Sequence, residues 1–328
     1  KITQYTRYLT VLIAALQAWG TAGFLSTINY NGVQAVHMDT AGFIPLTILT
    51  FTCGTIFIMY LGEQITEKGI GNGISLIIFI GIIARFPEAV IEEVQLIWHG
   101  SRNFTTSAAM LVMMLFVIAA VILVTRAQRK VPVQYPRKVV GRKVFGGATT
   151  HLPLSVNSAG VIPIIFAQSI MFLPSTVAQL FPDSDWVQNL VANWLAPGGL
   201  WYSIIYGLII VFFAFFYTAI VFNPMEIADN MRRNGGYIPG IRPGRNTSEY
   251  VERILTRITL PGAIFFAAIA VLPWVLIGRF NVNFFFGGTG LLIVVGVALD
   301  TLQQIESHLV MRHYDGFMKK GKIRGKAW

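Results

Sequence analysis

Few residues in this 328-residue chain could do chemistry, and they are scattered. The five histidines, His37, His99, His151, His308 and His313, fall in loops or tails and form no His/Asp/Glu cluster at metal-ligand spacing. They read as structural or surface residues. Cys53 is the only cysteine, which excludes an internal disulfide and a cysteine-based metal site, and its apolar surroundings make it a packing residue. The run Gly69-Ile70-Gly71-Asn72-Gly73 has the glycine content of a phosphate loop. No Lys-Ser/Thr follows it, however, and it leads into an apolar stretch rather than a βαβ unit, so it reads as a tight turn into a helix. Asn103-Phe104-Thr105 and Asn246-Thr247-Ser248 match the glycosylation pattern only incidentally. No nucleophile–base pair stands out, and the pattern implies neither a catalytic residue, a metal nor a cofactor.

The elements that carry these residues are apolar and long. The chain is 54% hydrophobic and 12% charged, whereas about a quarter of the residues of a soluble domain are charged. Eight windows hold no Asp, Glu, Lys or Arg: Tyr8–Leu25, Ala41–Leu61, Gly69–Ala84, Ser107–Thr125, Ser158–Phe181, Leu200–Phe222, Ile258–Gly278 and Asn283–Leu299. Each predicts a transmembrane helix. If all eight cross, 22 Lys and Arg fall on one side of the membrane and three on the other, which places both ends and the two long basic loops in the cytoplasm. The window Gly69–Ala84 is short, covering about 24 Å of a roughly 30 Å hydrocarbon core. Omitting it gives a poorer division of 19 against six, so it is kept as a sheltered short helix. The net charge of +10 is therefore explained by topology rather than by a nucleic-acid face. The chain opens on Lys1 rather than Met and lacks the features of a signal peptide, the pattern expected of a fragment.

Three polar features separate the spans. Arg126–Leu154 alternates apolar and polar residues between Pro and Gly breaks and predicts a short basic β-ribbon projecting into the cytoplasm. Asn223–Arg257 predicts a helix over Pro224–Asn234, a turn at Gly235-Gly236, and a loop Gly240-Ile241-Arg242-Pro243-Gly244 that exposes Arg242 at its tip. A second helix is expected after Asn246, because Asn246 and Glu249 have capping-box spacing. Pro174–Gly199 carries Trp186, Leu190, Val191 and Trp194 at near-helical spacing, which suits an interfacial helix on the outer side.

The run Leu61-Gly62-Glu63-Gln64-Ile65-Thr66-Glu67-Lys68-Gly69-Ile70-Gly71-Asn72-Gly73-Ile74-Ser75 closely resembles the loop between the fourth and fifth helices of the SecY family of protein-conducting channels. His151-Leu152-Pro153-Leu154, Gly160-Val161-Ile162-Pro163, Gly240–Gly244 and Gly287-Gly288-Thr289 follow in that family's order and spacing. The resemblance runs from the family's third helix to its tail. Its first two helices and the plug between them have no counterpart here, so two further spans are expected upstream of Lys1.

The resemblance implies an all-α polytopic membrane protein, eight helices of a ten-helix inverted-repeat channel, with residues 1–106 the remainder of the N-terminal half and 107–328 the C-terminal half. It implies a pore ring at Ile78, Ile82, Ile165 and Ile293. A neutral, branched aliphatic collar would disfavour continuous water and yield around a passing chain. Ile78 and Ile82 share a helix face; otherwise isoleucine in a membrane helix ordinarily faces lipid or a neighbour, and spacing alone selects none of the four. The Ser158–Phe181 helix resembles one side of the family's lateral gate. There Pro163 would loosen the backbone, Gln168 and Ser169 would pair across the closed gate, and Gln17 is a candidate partner. Ordinary interhelical hydrogen bonding explains these polar residues equally well. Arg242 resembles the family's arginine that meets the SecA motor or the ribosome. Arg137, Lys138, Arg142 and Lys143 of the ribbon would add basic contacts, though as isolated charges they also serve as topology signals.

The implied partners are SecE-like and SecG-like subunits, SecA, the ribosome, signal peptides, nascent secretory chains and the lipid bilayer. The implied location is the bacterial inner membrane. The implied activity is passage of unfolded secretory polypeptide and lateral release of hydrophobic segments, without catalysis by this chain. The alternative is a small-solute secondary transporter, disfavoured by spans that lack charged residues for ion coupling.

Overall fold

The structure, a computed structural model, describes residues 2–30, 33–100, 102–135, 138–140, 143–145, 149–157, 159–181, 184–196, 198–280 and 288–320. Among them, eight helical segments are long and apolar enough to cross a membrane, and each of the eight windows falls on one. In lipid no water can satisfy backbone N–H and C=O groups, so a long apolar run must bond to itself as a helix. The chain forms two compact units.

The first unit comprises Lys1–Glu88, Thr176–Ser184 and Val297–Trp328. Helices α1 (Ile2–Thr27) and α2 (Thr40–Lys68) pack along each other, joined through a two-residue strand pair, β1 (Asn29–Tyr30) and β2 (Val33–Gln34). Ala18 and Ala22 on α1 are buried, and at one end Arg7 Nε donates to Glu63 Oε1 at 2.7 Å. Next comes α3 (Gly73–Ile83), of 11 residues. After a turn at Ala84-Arg85 the chain continues as α4 (Phe86–Trp98), so the third crossing is a helical stretch of 26 residues, longer than its charge-free window. The window ended at Arg85 because α4 is amphipathic and carries Glu88, Glu92 and Glu93, which interrupt an apolar run without interrupting a helix.

The second unit comprises Ala89–Ser175 and Asp185–Gly296. It holds α5 (Phe104–Arg126), most of α6 (Ile162–Leu180), α7 (Asp185–Trp194), α8 (Leu200–Val221), α9 (Pro224–Arg233), α10 (Arg245–Phe280) and the start of α11 (Gly288–Lys320). Its main membrane contact is α8 against α10. On α8 the buried residues Tyr202, Tyr206, Ile210, Ala214 and Thr218 are four apart, a single ridge; Ala263, Ala267 and Ala270 are buried on α10, and a methyl on Gly207 of α8 would lie 3.8 Å from Ala267 Cβ. At the far end of α4, Arg102 donates to Glu93 at 2.6 Å and Ser107 donates to the other Glu93 oxygen at 2.5 Å, tying α4 to α5. The expected interfacial helix is α7, which has no buried residue and whose Trp194 ring lies 5.1 Å from that of Trp201.

The expected ribbon is present. Strand β3 (Gln128–Gln134) pairs antiparallel with β6 (Thr149–Ser155) in a register from Gln128↔Ser155 to Gln134↔Thr149, and β4 (Lys138–Val140) pairs with β5 (Lys143–Phe145). Val131 and Val133 of β3 and Leu154 of β6 are buried with Met231 of α9, Ile238 of the following loop, and Val251 and Leu255 of α10. Two features that look independent in the sequence therefore share one small core. Gln134 and Tyr237 exchange both backbone hydrogen bonds at 2.9 Å, and a side chain at Gly236 would press to 3.0 Å from the Tyr135 ring.

Two expected boundaries are corrected. Helix α10 begins at Arg245, not after Asn246: Gly244 accepts from Thr247 N and Ser248 N, and Glu249 accepts from the Arg245 side chain at 3.1 Å. The capping-box spacing is thus not used, because Gly244, at φ +107°, ends the loop first. Helix α6 runs through Pro174 to Leu180, as the window Ser158–Phe181 predicts, so the outer polar feature begins after Leu180 rather than at Pro174.

Candidate functional site

The motif Leu61–Ser75 builds the turn between α2 and α3 in the first unit. Thr66 donates its hydroxyl to Gly62 O at 2.8 Å and accepts Gly73 N–H at 2.8 Å. Asn72 caps α3 by accepting from Ser75 N at 3.2 Å, and Gly71 takes φ +92°. A methyl group on Gly73 would overlap the Gly62 carbonyl oxygen and lie 2.9 Å from Ile65 Cβ, while one on Gly62 would lie 2.8 Å from Ile74 Cγ1. The two glycines are where the backbones of α2 and α3 meet. The glycine run is thus a helix junction, and it fixes the position of α3, which carries Ile78 and Ile82, both half-buried.

In the second unit, Ile165 of α6 is half-buried and Ile293 of α11 is buried, at 3% exposure. A methyl on Gly296 would overlap Val161 Cγ2, so the start of α6 and α11 touch backbone to side chain. The two belong to the fifth and eighth candidate crossings.

The gate candidates divide differently from expectation. Pro163 is buried in the first turn of α6, where an N–H would have no intrahelical acceptor anyway, so it stabilises the start of the helix rather than loosening it. The interior break is Pro174, which removes a donor in mid-helix. Pro174 lies inside the uncharged window Ser158–Phe181, but it also opens the outer feature Pro174–Gly199, and the sequence reading assigns it no effect on the helix. Gln168 is half-buried and Ser169 exposed, with the Ser169 hydroxyl donating to Ile165 O of its own helix at 2.9 Å. In the first unit Gln17 is half-buried, and its carbonyl oxygen accepts from Thr21 Oγ1 at 2.9 Å. Among the described residues neither the Gln17 nor the Gln168 amide has a side-chain hydrogen bond.

Arg242 is presented as its sequence suggested. The turn Ile238–Ile241 closes with Ile241 N donating to Ile238 O at 3.1 Å, Gly240 has φ +80°, and the buried Thr247 donates to Arg242 O at 3.0 Å. The backbone is pinned while the side chain stays exposed and, among the described residues, has no ion pair. Lys138 and Lys143 lie on β4 and β5, and Arg137 and Arg142 lie outside the described residues.

The SecY family pattern matches residues 1–302. Protein translocase subunit SecY of Thermotoga maritima is 47% identical over 326 residues, covering 99% of this chain and 73% of that protein. A solved structure of the SecY protein, described for the plug domain that stabilises its closed state, superposes with a TM-score of 0.67 at 18% identity, covering 92% of this chain and 72% of the other. Sec61 in the canine ribosome-channel complex superposes with a TM-score of 0.60 at 19% identity, covering 92% and 71%.

Proposed function

Since the chain belongs to the SecY family, we propose that it is the channel subunit of a bacterial protein translocase, passing unfolded secretory polypeptides across the inner membrane and releasing hydrophobic segments sideways into lipid. One observation carries the reading: eight crossings contain windows free of fixed charge, and the positions matching the family's constriction are all isoleucine. A neutral aliphatic collar at Ile78, Ile82, Ile165 and Ile293 passes side chains of every type while opposing a continuous water file. Residues 1–106 belong to one half of the channel and 107–328 to the other. The charge asymmetry of 22 against three puts both ends of the chain and the ribbon in the cytoplasm.

The chain is a conduit and not an enzyme; with no nucleotide-binding loop, it takes its driving energy from a partner. SecA or the ribosome docks on the ribbon and on Arg242, whose pinned backbone and free guanidinium suit bidentate contact with carboxylate or phosphate. SecE-like and SecG-like subunits accompany it in the membrane. Gln17, Gln168 and Ser169 border the lateral gate, and Pro163 anchors the start of its α6 wall.

The test is site-specific photocrosslinking in the assembled translocase, with the crosslinker at Ile78, Ile165 or Ile293 and a stalled secretory precursor. Adducts are expected at all three positions and not at exposed Leu208 on α8. Equal labelling at Leu208, or none at the isoleucines, would refute the pore assignment.

A further inference from the structure

The start of α10 and Arg129 of the neighbouring ribbon strand form a basic groove to which the function above assigns no ligand. Arg253 and Arg257 are four apart and leave one face of the helix, and Arg129 of β3 lies beside them. With Tyr250, Ile254 and Ile258 they line an open groove of about 400 Å³. All three guanidinium-bearing residues are exposed, and among the described residues none has a carboxylate partner. The acids nearest in sequence do not line the groove: Glu249 is paired with Arg245, and Glu252 contributes nothing to the lining. Three like charges gathered without a counter-charge repel one another, and an anion bound between them removes that repulsion.

The other half of the lining is apolar. Ile254 and Ile258 are half-buried, and Ile258 opens the uncharged run that continues to Gly278. The groove therefore straddles the level at which α10 passes from a polar, loop-packed helix into a membrane span. A soluble anion would leave the isoleucines unused, whereas a phosphate carrying acyl chains matches both halves.

We propose that this groove binds an anionic membrane phospholipid, with its phosphate held by Arg129, Arg253 and Arg257, Tyr250 available as a hydroxyl donor, and the upper acyl chain lying along Ile254 and Ile258. The assignment does not depend on the pore or gate residues; it requires only that α10 cross the bilayer.

The test uses the assembled protein in phosphatidylcholine nanodiscs doped with a photoreactive phosphatidylglycerol, with adducts mapped by peptide mass analysis. Adducts are expected on the Tyr250–Ile258 segment. R253Q/R257Q should lower their yield at least about fivefold, since each arginine near a bilayer surface strengthens anionic-lipid attraction by roughly that factor. R232Q/R233Q on α9 should leave it unchanged, and R253K/R257K should retain most of it. Unlabelled phosphatidylglycerol should compete, and inorganic phosphate should not. An unchanged yield in R253Q/R257Q, or adducts confined to other segments, would overturn the proposal. Competition by inorganic phosphate would make the groove a soluble-anion site, and competition by an RNA oligonucleotide or acidic protein would make it a macromolecular contact. Either result would also overturn it.

Discussion

Replacing Gly73 by Ala tests the α2–α3 junction directly. The added methyl would lie 2.8 Å from the Gly62 carbonyl carbon and 2.9 Å from Ile65 Cβ, and nearer still to the Gly62 oxygen. Carbon atoms pack at about 3.5–4.0 Å, so the two helices must part by about 1 Å. Overpacking of this kind costs about 1–3 kcal/mol. Parting also breaks the 2.8 Å bond from Gly73 N–H to Thr66 Oγ1, adding about 1 kcal/mol. The expected destabilisation is therefore about 2–4 kcal/mol. A displaced α3 carries Ile78 and Ile82 with it, so transport should fall as well. Two glycines give an internal scale. Gly62→Ala meets Ile74 Cγ1 at 2.8 Å with the Ile74 backbone no nearer than 3.4 Å and should cost less, while Gly81→Ala on α3 meets nothing within 4 Å and should stay within about 1 kcal/mol of the parent. Thermal unfolding of the purified proteins in detergent, alongside precursor transport in proteoliposomes, should rank them Gly73→Ala worst, Gly62→Ala intermediate and Gly81→Ala near neutral. If Gly73→Ala unfolds and transports like Gly81→Ala, the backbone contact does not hold α3 in place and the reasoning fails.

Four further variants test other parts of the structure. Gly296→Ala should destabilise by about 1–3 kcal/mol through overlap with Val161 Cγ2, and adding Val161→Ala should recover much of the loss; a double variant no better than the single would show that the two residues do not meet. Glu93→Ala leaves Arg102, 13% exposed, and Ser107 without their acceptor and should cost about 1.5–3 kcal/mol by thermal unfolding, with partial rescue by Arg102→Met; additive losses would argue against the pair. Arg242→Ala should abolish motor- or ribosome-driven transport at unchanged stability. Thr247→Ala, which frees the Arg242 carbonyl, should cost about 1 kcal/mol and lower transport while leaving the arginine in place; full transport in Thr247→Ala would mean that backbone pinning is irrelevant.

Sequence by itself determined which segments cross the membrane, that a ribbon lies between α5 and α6, that α7 is an exposed tryptophan-bearing helix, and that Arg242 sits on a turn. These are properties of consecutive residues: transfer into lipid depends on the local run of side chains, and Gly and Pro set turns where they stand. What depends on partners distant in the chain emerged only in three dimensions. That Gly62 and Gly73 are a contact, that Val161 meets Gly296, and that β3, α9 and α10 share a core follow from which helices come together, because packing is decided by the shape of the facing surface. Pro163 and Pro174 show the same division, since proline is written in the sequence while its effect depends on whether a helix begins at it or runs through it. The groove of Arg129, Arg253 and Arg257 is the fullest case. Its charges are visible in the sequence as ordinary topology signals, and they become one site only because the ribbon folds back onto α10.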